Sequence, residues 1–223
     1  MTEYPHAVLF ASEEVSSFIE HLDRLGLDER LELYSDLVLF ERVELIVFAQ
    51  RFSAVAWFHE YSASDTNDAL AEHRRAMARG EYVIDGWGIE PLEAAAEQET
   101  TLERALTLQY GSFELMAIAA LETLFGDLLP LRGRPRGLLA RFRLWADAAG
   151  ARGAERELLG TELARLAELR NRFAHELDGS PWEGLPEAER DRARVVETLL
   201  RVAGVVRGVD AVLKRENSHD PRR

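Results

Sequence analysis

The chain has 223 residues, 47% hydrophobic and 30% charged, which suits one large domain or two small ones and excludes a disordered polar chain. It has no cysteine, which removes disulfide scaffolds, thiolate metal sites and cysteine nucleophiles. The net charge of −13 is unevenly held: residues 1–100 carry 21 acids and 7 bases, residues 101–223 carry 19 acids and 20 bases, and Lys214 is the only lysine.

Helical periods dominate from the start. Ser12, with Glu13 and Glu14 in the first turn, opens a short helix that Gly26 is expected to close. Leu31, Tyr34, Val38, Leu45, Phe48, Phe52 and Val55 follow three-four spacing, which predicts one helix from Asp28 to about Glu60. The density of Val, Ile and Phe there leaves a strand as the alternative. Ser64-Asp65-Thr66-Asn67 reads as the cap of a further helix ending at Gly80, and residues 81–90 as a connector turning at Asp85-Gly86.

Pro91 suits a first helical turn, and a helical pattern runs from there to Leu129 with a break near Thr100. Phe113, Ala117, Ala120, Leu124 and Leu128 form its apolar face. Residues 130–137 read as a loop, 138–149 as a helix closed by Gly150, and Ala154 to Leu177 as another, stopped by Asp178-Gly179-Ser180-Pro181. A last helix starts near Pro186, with Val196, Leu199, Val202, Val206, Val209 and Leu213 on one side. The expected fold is all-α: a helical acidic region over 1–98, an up-down four-helix bundle over 99–216, and a frayed tail over 217–223.

The informative segment is Leu169-Arg170-Asn171-Arg172-Phe173-Ala174-His175. Leu159, Leu163, Leu166, Phe173 and Leu177 make an apolar stripe whose missing member is position 170. A permanently charged guanidinium there is costly unless it is paired or faces a wet crevice or a ligand. Asn171 and His175, four residues apart, sit about 40° apart on the adjoining flank. These residue types suit cleavage of an RNA phosphodiester. Histidine moves protons near neutral pH, and an arginine fork neutralises charge growing on phosphate. The ribose 2′-hydroxyl can be the nucleophile, so the chemistry calls for no metal or other cofactor. The six histidines are scattered, and His59-Glu60 lacks a second histidine four residues on.

Arg170-Asn171 followed by His175, in the stretch LRNRFAHEL, resembles the Arg, polar residue, spacer, His motif of the HEPN superfamily. The resemblance covers about residues 100–215, and the run holding Glu122 resembles the first family helix, where an acid often sits among apolar residues. It implies an antiparallel four-helix HEPN bundle that dimerises with its motif helices facing each other. It further implies a metal-independent endoribonuclease of a bacterial toxin–antitoxin, abortive-infection or other antiviral system, with Arg170, Asn171 and His175 as site residues and Glu122 as a supporting acid. RNA, a second copy and an antitoxin or regulatory partner are the implied partners. The other class of function is a catalytically silent HEPN-like module that binds RNA or a protein.

Each residue also has a plain structural reading. His175 would cap a helix end, Arg170 would pair with Glu122, and Asn171 would bond between helices. Arg132, Arg134, Arg136, Arg141 and Arg143 lie within 12 residues and could grip an RNA backbone, or simply be solvated. The acidic half reads as a solubilising layer, a docking face for a basic partner, or a restraint over the arginines. Trp57, Phe58, Tyr61, Trp87, Trp145 and Trp182 could stack bases, although core packing is the usual role of such rings. No apolar run approaches the roughly 20 residues that span a bilayer, and residues 1–10 lack a signal-peptide pattern, so a cytoplasmic protein with no membrane association is expected.

Overall fold

Helix is the only regular secondary structure among the described residues of the computed structural model, which are 12–82, 89–130, 135–178 and 192–218, with the backbone alone described at 12, 63, 174–178 and 216–218. The helices are α1 (Ser12–Leu22), α2 (Leu27–Asp36), α3 (Val43–Ala78), α4 (Glu90–Asp127), α5 (Leu138–Ala148), α6 (Gly153–Asp178) and α7 (Arg192–Ser218). The chain is all-α, and no described helix is long and apolar enough to cross a membrane.

Four expectations about the N-terminal half are corrected. No strand forms. Gly26 does not close α1 but stands before α2, where its N–H donates to the Glu29 carboxylate at 2.9 Å. The single helix expected over 28–60 is two, parted at residues 37–42, where Leu37 and Val38 turn into the core and Leu39 is left exposed. Tyr34, Val38 and Leu45 are all buried, so the spacing locates the apolar face but not the interruption. Ser64–Asn67 caps nothing, because α3 runs straight through it. Ser62 Oγ bonds back to the Phe58 carbonyl at 2.7 Å and Thr66 Oγ1 to the Ser62 carbonyl at 3.1 Å. Hydroxyls that would cap a new helix are thus spent inside the existing one.

The break expected near Thr100 is absent for the same reason. Thr100 and Thr101 donate to the carbonyls of Ala96 and Glu97 at 3.0 and 2.8 Å, and α4 continues through residues 98 and 99. Pro91 stands in the first turn of α4, where its missing N–H costs nothing. Gly80, at φ 71°, takes the left-handed conformation that ends α3. The Pro186 start of the last helix, the Asp85-Gly86 turn, most of the 130–137 loop and the 217–223 tail lie wholly or largely outside the described residues.

α3 and α4 form a long antiparallel hairpin. Arg74 bonds Glu99 and Glu103, Asn67 Nδ2 donates to Tyr110 at 3.2 Å, Phe58 meets Phe113, and Arg51 meets Asp127, in that opposed order. α4 is the centre of the molecule, with α3, α5, α6 and α7 packed on it. α7 is buried on several sides: Val195, Leu200 and Val205 are as buried as the predicted Val196, Leu199 and Val206. It meets α1, α3, α4 and α6, so one apolar core extends from Val15 to Leu213 and takes in the acidic helices and the C-terminal bundle together.

Candidate functional site

α6 is seated on α4 by one close approach. Phe173 is 1% exposed, and a Cβ on Gly111 of α4 would stand 2.2 Å from its ring. Only glycine lets α4 pass under that ring, and the contact fixes the height and rotation of the motif segment. Glycine inside a helix costs about 1 kcal/mol relative to alanine, so Gly111 in a long helical pattern is a readable sign of close packing.

Leu159, Leu163, Leu166 and Phe173 are buried as the stripe predicts. Arg170, between them, is paired. Its Nη1 lies 2.5 Å from Glu122 Oε2 on α4, and its Nη2 donates to Asn171 Oδ1 at 3.3 Å. The Arg170 side chain keeps 33% of its exposure and Glu122 keeps 18%, so the pair sits at the mouth of the seam, where the stripe meets solvent. The cost of a charge in an apolar stripe is met by a partner and by water together.

Arg141 of α5 joins this cluster in a way the sequence does not suggest. Its Nη1 donates to the Glu122 carbonyl at 2.9 Å and lies 3.8 Å from Glu122 Oε1, while its Nε donates to the Pro135 carbonyl at 3.1 Å. Arg141 therefore ties the α5 entry to Glu122. Arg143, two residues on and about 200° around the helix, is exposed, and so is Arg136. Arg132 and Arg134 lie outside the described residues. Of the described arginines of this run, Arg136 and Arg143 are exposed, whereas Arg141 is turned toward Glu122.

The backbone of α6 is helical through His175, which follows Asn171 by four residues; the His175 side chain lies outside the described residues. The other flank of α6 borders a cleft of about 530 Å³, lined by Ile19 of α1, Leu169 and Arg172 of α6, and Arg194, Thr198 and Arg201 of α7. Its α7 arginines are anchored by acids. Arg194 Nε donates to Glu114 at 3.2 Å, and Arg201 Nη1 and Nη2 donate to Glu162 and Glu197 at 2.7 and 2.6 Å. Of the rings weighed for base stacking, Trp145 is 2% exposed, against Phe125 and Phe142 in the core. Trp57, Phe58 and Tyr61 are half exposed, and Trp87 and Trp182 lie outside the described residues.

A second carboxylate cluster also escapes a reading of the sequence. Glu60 of α3 is buried and accepts from Arg30 Nη1 at 3.0 Å, Tyr34 hydroxyl at 3.2 Å and Arg192 Nη2 at 3.4 Å; Arg192 also bonds Asp23. This joins α1, α2, α3 and α7. Burial, with Glu60 alongside, pushes the Tyr34 phenol well above its ordinary range. Beside it His59 is fully buried, and neither ring nitrogen has a hydrogen-bond partner among the described residues. Burial holds its imidazole down at about 4. The described residues hold no group of three or more histidines and carboxylates that could bind a metal ion.

No family model matches the chain, and no curated protein and no solved structure matches it.

Proposed function

We propose that this chain is an endoribonuclease of HEPN type, serving a bacterial toxin–antitoxin, abortive-infection or other antiviral system. The observation that carries the reading is Arg170, set in the buried stripe of α6, half open to solvent, and held by Glu122 with Asn171 on its other amine. Glu122 fixes the guanidinium before any ligand arrives, which is what transition-state stabilisation by a charged group requires. In this reading the ribose 2′-oxygen attacks phosphorus and the 5′-oxygen leaves. His175 moves the protons, Arg170 faces the phosphate oxygens and Asn171 orients one of them. The products are a 2′,3′-cyclic phosphate and a 5′-hydroxyl. Motif helices from two copies would line one cleft, and RNA is the substrate class.

The same ion pair also favours a second reading. Glu122 and Arg170 would hold α4 to α6 even in a catalytically silent module that only binds RNA or a protein. One experiment separates the two. Wild type and His175→Ala are expressed at matched levels, and total RNA is examined for new ends. The enzyme predicts growth arrest and cyclic-phosphate ends in the wild type alone. Identical RNA from both proteins contradicts it.

A further inference from the structure

α3 has two apolar faces, and only one of them is covered among the described residues. Leu45, Phe48, Phe52 and Val55 face the core. On the far side Val43, Ile46, Gln50, Ala54, Trp57 and Tyr61 recur at steps of 3, 4, 4, 3 and 4 residues, and all are exposed. Val43 is 71% exposed, Trp57 and Tyr61 48% each. A helix that is apolar on both sides has both sides buried in its working state. Trp57 and Tyr61 are already stacked, with centroids 5.2 Å apart and planes 7° from parallel, and Phe58 stands edge-on against buried Phe113. The surface is thus a rigid aromatic platform rather than a set of loose side chains.

Its aromatic end is also free of exposed charge. From Phe52 to Ser62 the ionic and imidazole side chains are His59 and Glu60, both turned inward. Along the adjoining stretch of α4, from Ala105 to Leu121, the one charged residue is Glu114, at 2% exposure. Ser112, Met116 and Ala119 are its exposed members. The Arg51–Asp127 pair marks one rim. Aromatic and Met enrichment with charge depletion is the composition of an interface centre.

The electrostatics choose the occupant. A nucleic acid needs cations here, and a basic peptide needs acids; the platform offers neither. Copies of a chain with net charge −13 repel one another wherever acids face acids, so they can meet closely only on a neutral face. A neutral platform is complementary to itself, as a two-fold contact demands. Its size suffices. Val43 to Tyr61 spans about 27 Å of helix, and two packed helices are about 20 Å wide. That is roughly 540 Å² from each copy, or roughly 1,080 Å² in total, just past the roughly 1,000 Å² minimum for a specific interface.

We propose that the outer faces of α3 and α4 form a docking surface for a second copy of this chain, with the two α3 helices antiparallel across a two-fold axis. Val43 then opposes the second copy's Tyr61, Ile46 opposes the aromatic platform, and Gln50 opposes Ala54. This contact is separate from one along α6 and does not depend on ribonuclease activity.

The test uses the full chain and its lack of cysteine. Ala54→Cys, treated with a short bismaleimide, is expected to cross-link to itself in high yield. Asn171→Cys serves as the parallel probe of the motif helix. Trp57→Glu is expected to halve the mass measured by sedimentation equilibrium at about 10 μM, from a wild-type assembly of at least two 25.2 kDa chains. Because Trp57 lies outside the core, its variant keeps the wild-type circular dichroism. A wild type that sediments as one chain overturns the proposal. So does an Ala54→Cys protein that stays uncross-linked, or a Trp57→Glu protein of wild-type mass.

Discussion

Glu60 and Glu122 are both carboxylates placed in apolar helical seams, and each draws arginines from two neighbouring elements. Around Glu60 the side chain is 1% exposed and its oxygens are shared among Arg30, Tyr34 and Arg192. Around Glu122 the carboxylate is 18% exposed, Arg170 33% and Arg141 24%. The first carboxylate is closed off and joins four helices, although Arg30 and Arg192 each keep 26% exposure. The second is open at one side, and its arginine still faces water. One chemistry thus takes two forms: with its carboxylate buried it fixes the packing of helices, and half open it leaves a guanidinium facing solvent. The same contrast holds on α3, where the face toward α4 is filled and the outer face is exposed.

The largest expected effect breaks the closed cluster. Glu60→Ala leaves Arg30 and Arg192 without their shared acid and is expected to cost about 3–5 kcal/mol, read as a lowered urea midpoint. Next comes the pH response of its neighbour. The His59 imidazole titrates near 4 in the folded chain and near 6.5 when unfolded, so between those values the unfolded state binds the extra proton. Stability from this group is complete above about pH 6.5 and is lost as pH falls toward 4, by about 3 kcal/mol. His59→Leu should flatten that window in melts compared at pH 7.5 and 4.5, and an unchanged slope would show that the loss comes from other groups.

Gly111→Ala is expected to cost about 2 kcal/mol by driving a methyl into Phe173. Adding Phe173→Leu should recover part of that loss, a coupling that a double-mutant cycle reads directly. The smallest stability effect belongs to the open cluster. Glu122→Gln should shift stability by only about 1 kcal/mol, because the pair is partly solvated. If it costs as much stability as Glu60→Ala does, the two clusters are alike and the comparison fails.

What the sequence makes legible follows from periodicity. The four C-terminal helices stand where their apolar spacing predicts, and Arg170 is visible as a charge in the place of a leucine. Even its partner is readable, because Glu122 is an acid in the apolar run of α4. Arg141 is not, because its role depends on α5 folding back to bring it against a carbonyl 19 residues earlier. Glu60 is hidden for the same reason: its partners stand 26 to 132 residues away in the chain. The continuity of α3 and α4 was obscured by Ser and Thr residues that cap helices in some contexts. Here their hydroxyls return to carbonyls one turn back. The uncovered face of α3 reads in sequence as ordinary core, since spacing shows that residues share a face but not whether anything covers it.

The most direct test of the open cluster is ribonuclease activity of purified Glu122→Gln beside the wild type, with the urea midpoint of each measured on the same samples. The account predicts that the variant stays folded, within about 1 kcal/mol of the wild type, and loses at least tenfold in the rate of forming 2′,3′-cyclic-phosphate ends. A folded variant that makes those ends at the wild-type rate would contradict it, and would leave Glu122 and Arg170 as a structural pair like the one at Glu60.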